Sequence, residues 1–103
     1  MDSVNDFQEY VDLWIKDHGG YWPPLSMLSA IIEEIGELAK EINHKEGYKP
    51  KKHDKDQGNI GEELADVLFA LICIANNYQI DLQAEFVKVL NKYKKRDAKR
   101  FIK

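Results

Sequence analysis

Two short acidic clusters hold the side chains best suited to chemistry, Glu33-Glu34-Ile35-Gly36-Glu37 and Glu62-Glu63-Leu64-Ala65-Asp66. Each runs directly into an apolar helical pattern. Residues three or four apart share a helix face, so Glu34 with Glu37, and Glu63 with Asp66, each present two carboxylates side by side. One such pair is an ordinary solvated surface. A second pair on the next helix, again beside an apolar run, suggests four oxygen ligands around a hard divalent cation. Without a cation, four converging carboxylates would repel and raise one another's pKa values. All-oxygen ligation points to Mg²⁺ or Mn²⁺ and away from zinc, for which a Cys and His set is missing.

Mg²⁺ held by carboxylates keeps waters and binds substrate phosphates. It polarises a phosphoryl group, neutralises leaving-group charge and lowers the pKa of an attacking water. Glu33 or Glu62 is the local candidate for the base. Trp22 or Tyr21 offers an aromatic face for stacking, although either could simply be packed. Lys92 and Arg96, four apart, could grip phosphate oxygens together. His18, His44 and His53 are scattered. Glu41 and His44 form a single Glu-x-x-His, the unit that di-iron bundles carry twice, and no second copy exists.

Four helical segments must position these groups. The first covers about 3–18, with Ser3 as N-cap and Val4, Phe7, Val11, Trp14 and Ile15 at helical spacing. Gly19-Gly20 ends it, and Tyr21-Trp22-Pro23-Pro24 makes a stiff connector. The second covers about 25–44. Its Leu28, Ile31, Ile32, Ile35, Leu38, Ala39 and Ile42 fall in an arc of roughly 120°, a core stripe that Glu34 and Glu41 flank.

The third, about 60–79, is apolar nearly all round between Val67 and Ala75. Three companions of modest length cover such a helix poorly, so part of it should meet another chain. Glu63, Asp66, Ala70, Cys73 and Asn77 share one small-sided stripe on it. That stripe leaves room for a ligand ending at the Asn77 amide, or for a close helix contact. The fourth segment starts at the N-cap Asp81 and runs to about Phe101, with Leu82, Phe86, Val89, Leu90 and Tyr93 as its apolar face. Its basic end is also accounted for by the helix dipole. Between the second and third helices, residues 45–59 lose periodicity and gather Lys45, Lys49, Lys51, Lys52 and Lys55. They read as a solvated linker or as a lid that attracts a polyanion.

With 103 residues and 44% hydrophobic content, the chain should form a single all-α domain, 1–103. The expected architecture is a four-helix bundle-like domain assembling through a helical interface into a dimer or dimer of dimers. A net charge of −3 and a pI near 5.6 argue against a nucleic-acid polymer as partner. No apolar run reaches the roughly 18 residues of a membrane span, and the polar start is unlike a signal peptide. A cytoplasmic location and no membrane partner are expected. The lone Cys73 lies inside an apolar run and reads as a buried small hydrophobe.

The acidic words and their neighbours resemble the MazG-type nucleotide pyrophosphohydrolases, of the all-α nucleoside triphosphate pyrophosphatase superfamily. The signature of that group is Glu-Glu-x-x-Glu, a variable spacer, then Glu-x-x-Asp. Here it reads Glu33-Glu34-Ile35-Gly36-Glu37, a spacer of 25 residues (38–62), then Glu63-Leu64-Ala65-Asp66. Gly-Glu-Leu-Ala follows the first acids, Asp-Val-Leu-Phe-Ala-Leu follows the second, and Lys92-Tyr93-x-x-Arg96 resembles the family's Lys-aromatic-x-x-Arg.

The resemblance implies Mg²⁺-dependent hydrolysis of a nucleoside triphosphate between its α and β phosphates, giving monophosphate and pyrophosphate, as in nucleotide-pool house-cleaning. It implies Glu34, Glu37, Glu63 and Asp66 as metal ligands, with Glu33 and Glu62 as flanking acids that orient water or a second ion. Lys92 and Arg96 would contact phosphates, and homodimers or homotetramers are expected. Some relatives carry a lysine four residues before each metal-binding pair; here Ala30 and Asn59 stand there. Alternatives are a phosphoribosyl-ATP or a dCTP/dUTP-selective pyrophosphohydrolase of the same superfamily, or a non-catalytic nucleotide-binding oligomerisation module.

Overall fold

Capping chemistry sets where the helices begin. In the computed structural model, which describes residues 2–47 and 59–97, Ser3 precedes α1 (Val4–Asp17) and closes a capping box. The Asp6 N–H donates to Ser3 Oγ at 3.1 Å and the Ser3 N–H donates to Asp6 Oδ2 at 3.0 Å. Two backbone donors that a helix start leaves without partners are thereby satisfied. α1 ends at Gly19 and Gly20, both at positive φ (102° and 87°), a conformation that costs little without a Cβ. The Gly20 N–H reaches back to the Ile15 carbonyl at 2.9 Å and closes the turn.

α2 (Pro24–Lys45) starts with proline in its first turn, where the missing N–H is no loss. α3 (Ile60–Asn77) is capped by Asn59, whose Oδ1 accepts from the Glu62 N–H at 3.0 Å. α4 (Leu82–Asp97) begins after Asp81, which accepts from the Ala84 N–H at 3.0 Å. The chain is all-α, and no strand occurs among the described residues. The expected continuation of α4 to Phe101 lies outside the described residues. So does most of the lysine-rich segment, including Lys49, Lys51, Lys52 and Lys55.

α2 and α3 form the principal pair, α1 lies against α3, and α4 packs on α1. Burial redraws the faces expected of α2. Its inward positions are Met27, Ile31, Glu34, Leu38 and Glu41, spaced alternately four and three apart like a coiled-coil seam. Leu28, Ile32, Ile35 and Ile42, expected in the core, remain 44–63% exposed. They lie roughly 100° round the helix, one residue step from the seam. Glu34 and Glu41 are therefore on the packed seam rather than flanking it. α3 repeats the arrangement: Glu63, Val67, Ala70 and Ile74 face inward, while Leu64, Leu68 and Leu71 point out, 44–53% exposed. Among the described residues, the buried apolar side chains are Met27, Ile31, Ile72, Cys73 and Ala75. Cys73 is a buried free thiol, as its surroundings in the sequence suggest.

A polar cluster holds the corner where α1, α3 and α4 meet. The Gln8 Nε2 donates to Asn76 Oδ1 (2.9 Å) and to the Ile80 carbonyl (2.8 Å), and Gln8 Oε1 accepts from the Leu82 N–H (2.9 Å). Asn76 Nδ2 in turn donates to the Gln8 carbonyl at 2.9 Å. A nearly buried amide with all its polar atoms engaged fixes three elements at once.

Candidate active site

α2 and α3 bring carboxylates from both acidic clusters together. Glu34, Glu63 and Asp66 each offer an oxygen within 4.8 Å of the others. Glu34 and Glu63 are inward seam positions, and Asp66 is the next exposed position on the same side of α3. Glu37 stands outside that close group, but its charge still acts on Glu63. The Glu63 carboxyl is pushed above the usual range, first by a hydrogen bond shared with Glu34, then by desolvation and by the charges of Glu34, Asp66 and Glu37. Glu63 Oε2 is sealed from solvent and has no hydrogen-bond partner among the described residues. The donor set is all oxygen, one oxygen is orphaned, and the excess is negative charge; these residues fit a hard divalent cation.

Glu34 and Asp66 also line a cavity of about 510 Å³. Its lining includes Trp14, His18, Tyr21, Trp22 and Phe69 as aromatic surface, with Met27, Ala30, Ala70 and Cys73 as apolar or small neighbours. The Trp14 and His18 rings stack at 4.1 Å between centroids and 17° between planes. Phe69 meets Trp14 edge to face at 6.4 Å and 78°. His18 Nδ1 sits 2.7 Å from the Trp14 carbonyl, which holds the imidazole in place. Aromatic planes beside a carboxylate cluster suit a ligand with a flat apolar part and a polyanionic tail carried by a cation.

A family model described as the MazG nucleotide pyrophosphohydrolase domain matches residues 23–101. The chain belongs to the MazG nucleotide pyrophosphohydrolase family. Enzymes of this MazG family are hydrolases that generally depend on a divalent metal. The chain is 42% identical over 100 residues to the uncharacterized protein YpjD of Bacillus subtilis (strain 168), covering 96% of this chain and 90% of that one. The crystal structure of the Bacillus subtilis YpjD superposes with a TM-score of 0.80 at 41% identity, over 90% of this chain and 96% of the other. A crystal structure of a Bacillus-conserved MazG protein, a nucleotide pyrophosphohydrolase, gives 0.77 at 40% identity over 90% of both chains. More distantly, dCTP pyrophosphatase 1 of Rattus norvegicus is 27% identical over 84 residues, 79% of this chain. The match spans about half (49%) of that enzyme.

The other residues singled out by spacing fall in different places. Glu33 and Glu62 are exposed and outside the close trio, and the Glu62 backbone is engaged by the Asn59 cap. Trp22 lines the aromatic cavity. On the small-sided stripe of α3, Asp66, Ala70 and Cys73 line that cavity, but Asn77 faces a second, polar cavity of about 440 Å³. The interior amide is its neighbour Asn76, one residue step round the helix. Lys92 and Arg96 lie on α4, which packs on α1, and neither lines the aromatic cavity. Arg96 rests over the Tyr93 ring at 4.6 Å. His44 is not part of the acidic group.

Sequence reasoning missed Trp14, His18 and Phe69 as site residues. Trp14 has core spacing, and Phe69 sits in a run that is apolar throughout. The usable signal is the Trp14–His18 pair, four apart on the last turn before Gly19-Gly20, where the chain turns toward the second helix.

Proposed function

We propose that the chain hydrolyses nucleoside triphosphates to nucleoside monophosphate and pyrophosphate in a Mg²⁺-dependent reaction (Mn²⁺ serving in its place). The observation that carries this reading is the trio Glu34, Glu63 and Asp66, with the sealed Glu63 oxygen, beside an aromatic cavity. Glu34, Glu63 and Asp66, completed by Glu37, would hold the cation, which would neutralise phosphate charge and acidify a water. Glu33 or Glu62 would orient an attacking water and accept its proton. Trp22, with Trp14, stacks the base. Lys92 and Arg96 meet the phosphates once chains assemble, because within one chain α4 packs on α1 rather than on the acidic pair.

Assembly into a homodimer or homotetramer would cover the outward stripes of α2 and α3. The acting unit is a single domain spanning the chain, working on free nucleotides in the cytoplasm and not on nucleic acid. No described helix is long and apolar enough to cross a membrane.

Pyrophosphate release measured across a panel of ribo- and deoxyribonucleoside triphosphates, with and without Mg²⁺, tests the reading. Glu34→Gln and Asp66→Asn should each lower release at least a hundredfold while helicity is unchanged. Full activity in either variant would remove the metal assignment. The relation to dCTP pyrophosphatase 1 favours a second, narrower reading, selectivity for dCTP, which the same panel decides.

A further inference from the structure

The aromatic cavity is backed by a hydrogen-bonded strut that contains none of the residues proposed for catalysis. The connector between α1 and α2 leaves α1 through two left-handed glycines and enters α2 through two prolines. Of its side chains, Tyr21 alone has a hydrogen bond across the fold among those described. Its hydroxyl donates to Asp12 Oδ1 at 2.7 Å, nine residues back on α1. Asp12 is itself gripped by Lys16 Nζ at 2.8 Å.

Tyr21 lines both cavities, the aromatic one with its neighbour Trp22 and the polar one with Asp12, Lys16 and Asn76. The Asn76 amide also lies against the tyrosine hydroxyl. Asn76 belongs to the Gln8 cluster, so a continuous polar path runs from the aromatic wall to the start of α4. Burial and the bond to Asp12 raise the Tyr21 pKa to about 12, so the hydroxyl remains a donor throughout the working pH range. Asp12 is held below the usual carboxylate range by its bonds to Lys16 and Tyr21 and remains an acceptor.

We infer that Tyr21 is a positioning residue whose hydroxyl, held by Asp12, fixes the connector and so sets how tightly the aromatic cavity takes the flat part of its ligand. The inference rests on the nucleotide reading only for the identity of that ligand. Tyr21 touches no reacting atom in this scheme; it holds a wall. Losing one charge-assisted hydrogen bond should therefore weaken binding without slowing the chemical step.

The test uses Tyr21→Phe, Asp12→Ala and the double variant in the full chain. Phenylalanine keeps the ring, so the wall remains while its anchor is lost. The KM for triphosphate should rise about tenfold in each single variant, with kcat within twofold and the Mg²⁺ dependence unchanged. The double variant should lose clearly less than the sum of the two single effects, because both remove the bond between Tyr21 and Asp12. Asp12→Asn, which still offers an acceptor, should recover most of the affinity. An unchanged KM in Tyr21→Phe, additive effects in the double variant, or a fall in kcat alone would overturn the inference.

Amide hydrogen exchange of residues 18–22 gives a readout independent of turnover. It should quicken in Tyr21→Phe while the paired faces of α2 and α3 stay protected, and unchanged exchange would refute the strut. Should the wild-type chain hydrolyse no triphosphate, the proposed reaction falls and the exchange comparison still decides the strut.

Discussion

At the scale of single residues, the decisive group is Glu63. Its carboxyl is raised above its ordinary value of 4.5 by Glu34 and the other acids around it, so the folded state holds a proton more tightly than the unfolded chain does. Below the ordinary value both states are protonated and nothing is lost. As pH rises through the window above 4.5, the folded state is strained relative to the unfolded one. Glu63→Gln should therefore raise the melting temperature of chelator-treated protein at pH 8, by a margin that shrinks as pH falls toward 4.5. The same variant should lose the stabilisation that Mg²⁺ gives the wild type, because binding to the folded state alone raises the midpoint. Thermal melts with EDTA and with excess Mg²⁺ read both effects. That carboxylates of the two acidic clusters could come together was suggested by their spacing. Which of them converge was not, because whether Glu34 or Glu37 faces α3 depends on which side of α2 is turned inward.

Element boundaries were largely legible, since caps are local chemistry: Ser3, Gly19-Gly20, Pro24 and Asp81 act where their types suggest. Asn59 was not recognised as a cap, although it precedes the acidic turn of α3 and orders its first residues. Asn59→Ala should cost about 1 kcal/mol of stability. It should also raise the Mg²⁺ concentration needed for half-maximal activity, since Glu62 and Glu63 sit on the turn it holds. At the other end of α3, Gln79 takes the left-handed position (φ 56°), where glycine is usual. The Ile80 N–H bonds the Ala75 carbonyl at 2.8 Å and the Gln79 N–H bonds the Asn76 carbonyl at 3.0 Å, which completes the turn. Gln79→Gly should stabilise the fold by about 0.5–1 kcal/mol, visible as a rise of a few degrees in melting temperature. The aromatic wall was legible only at Tyr21 and Trp22; Trp14, His18 and Phe69 escaped because the wall joins α1, the connector and α3, and no single periodicity spans all three.

For the whole molecule, the informative mismatch lies in α2, whose apolar stripe is wider than the seam it packs. One part of that stripe serves α3 and the remainder stays outside, as it does on α3. Ile32→Glu or Leu68→Glu should shift the sedimentation coefficient toward the monomer and make the melting temperature independent of protein concentration, whereas the wild-type midpoint should climb with concentration. A wild type that sediments as a monomer at every concentration would remove the assembly.

The Gln8 corner carries a different consequence, one of lifetime. Its amide nitrogen faces two carbonyl-type oxygens, the side-chain oxygen of Asn76 and the backbone oxygen of Ile80. Slow loss of ammonia from that amide, a change of one heavy atom, would set oxygen against oxygen at both contacts and bring a charge into a nearly closed space. Exchanging that one nitrogen for oxygen would therefore loosen the joint that holds three helices. Gln8→Glu, the aged form made directly, should melt lower than Gln8→Met, which removes the same bonds without the repulsion.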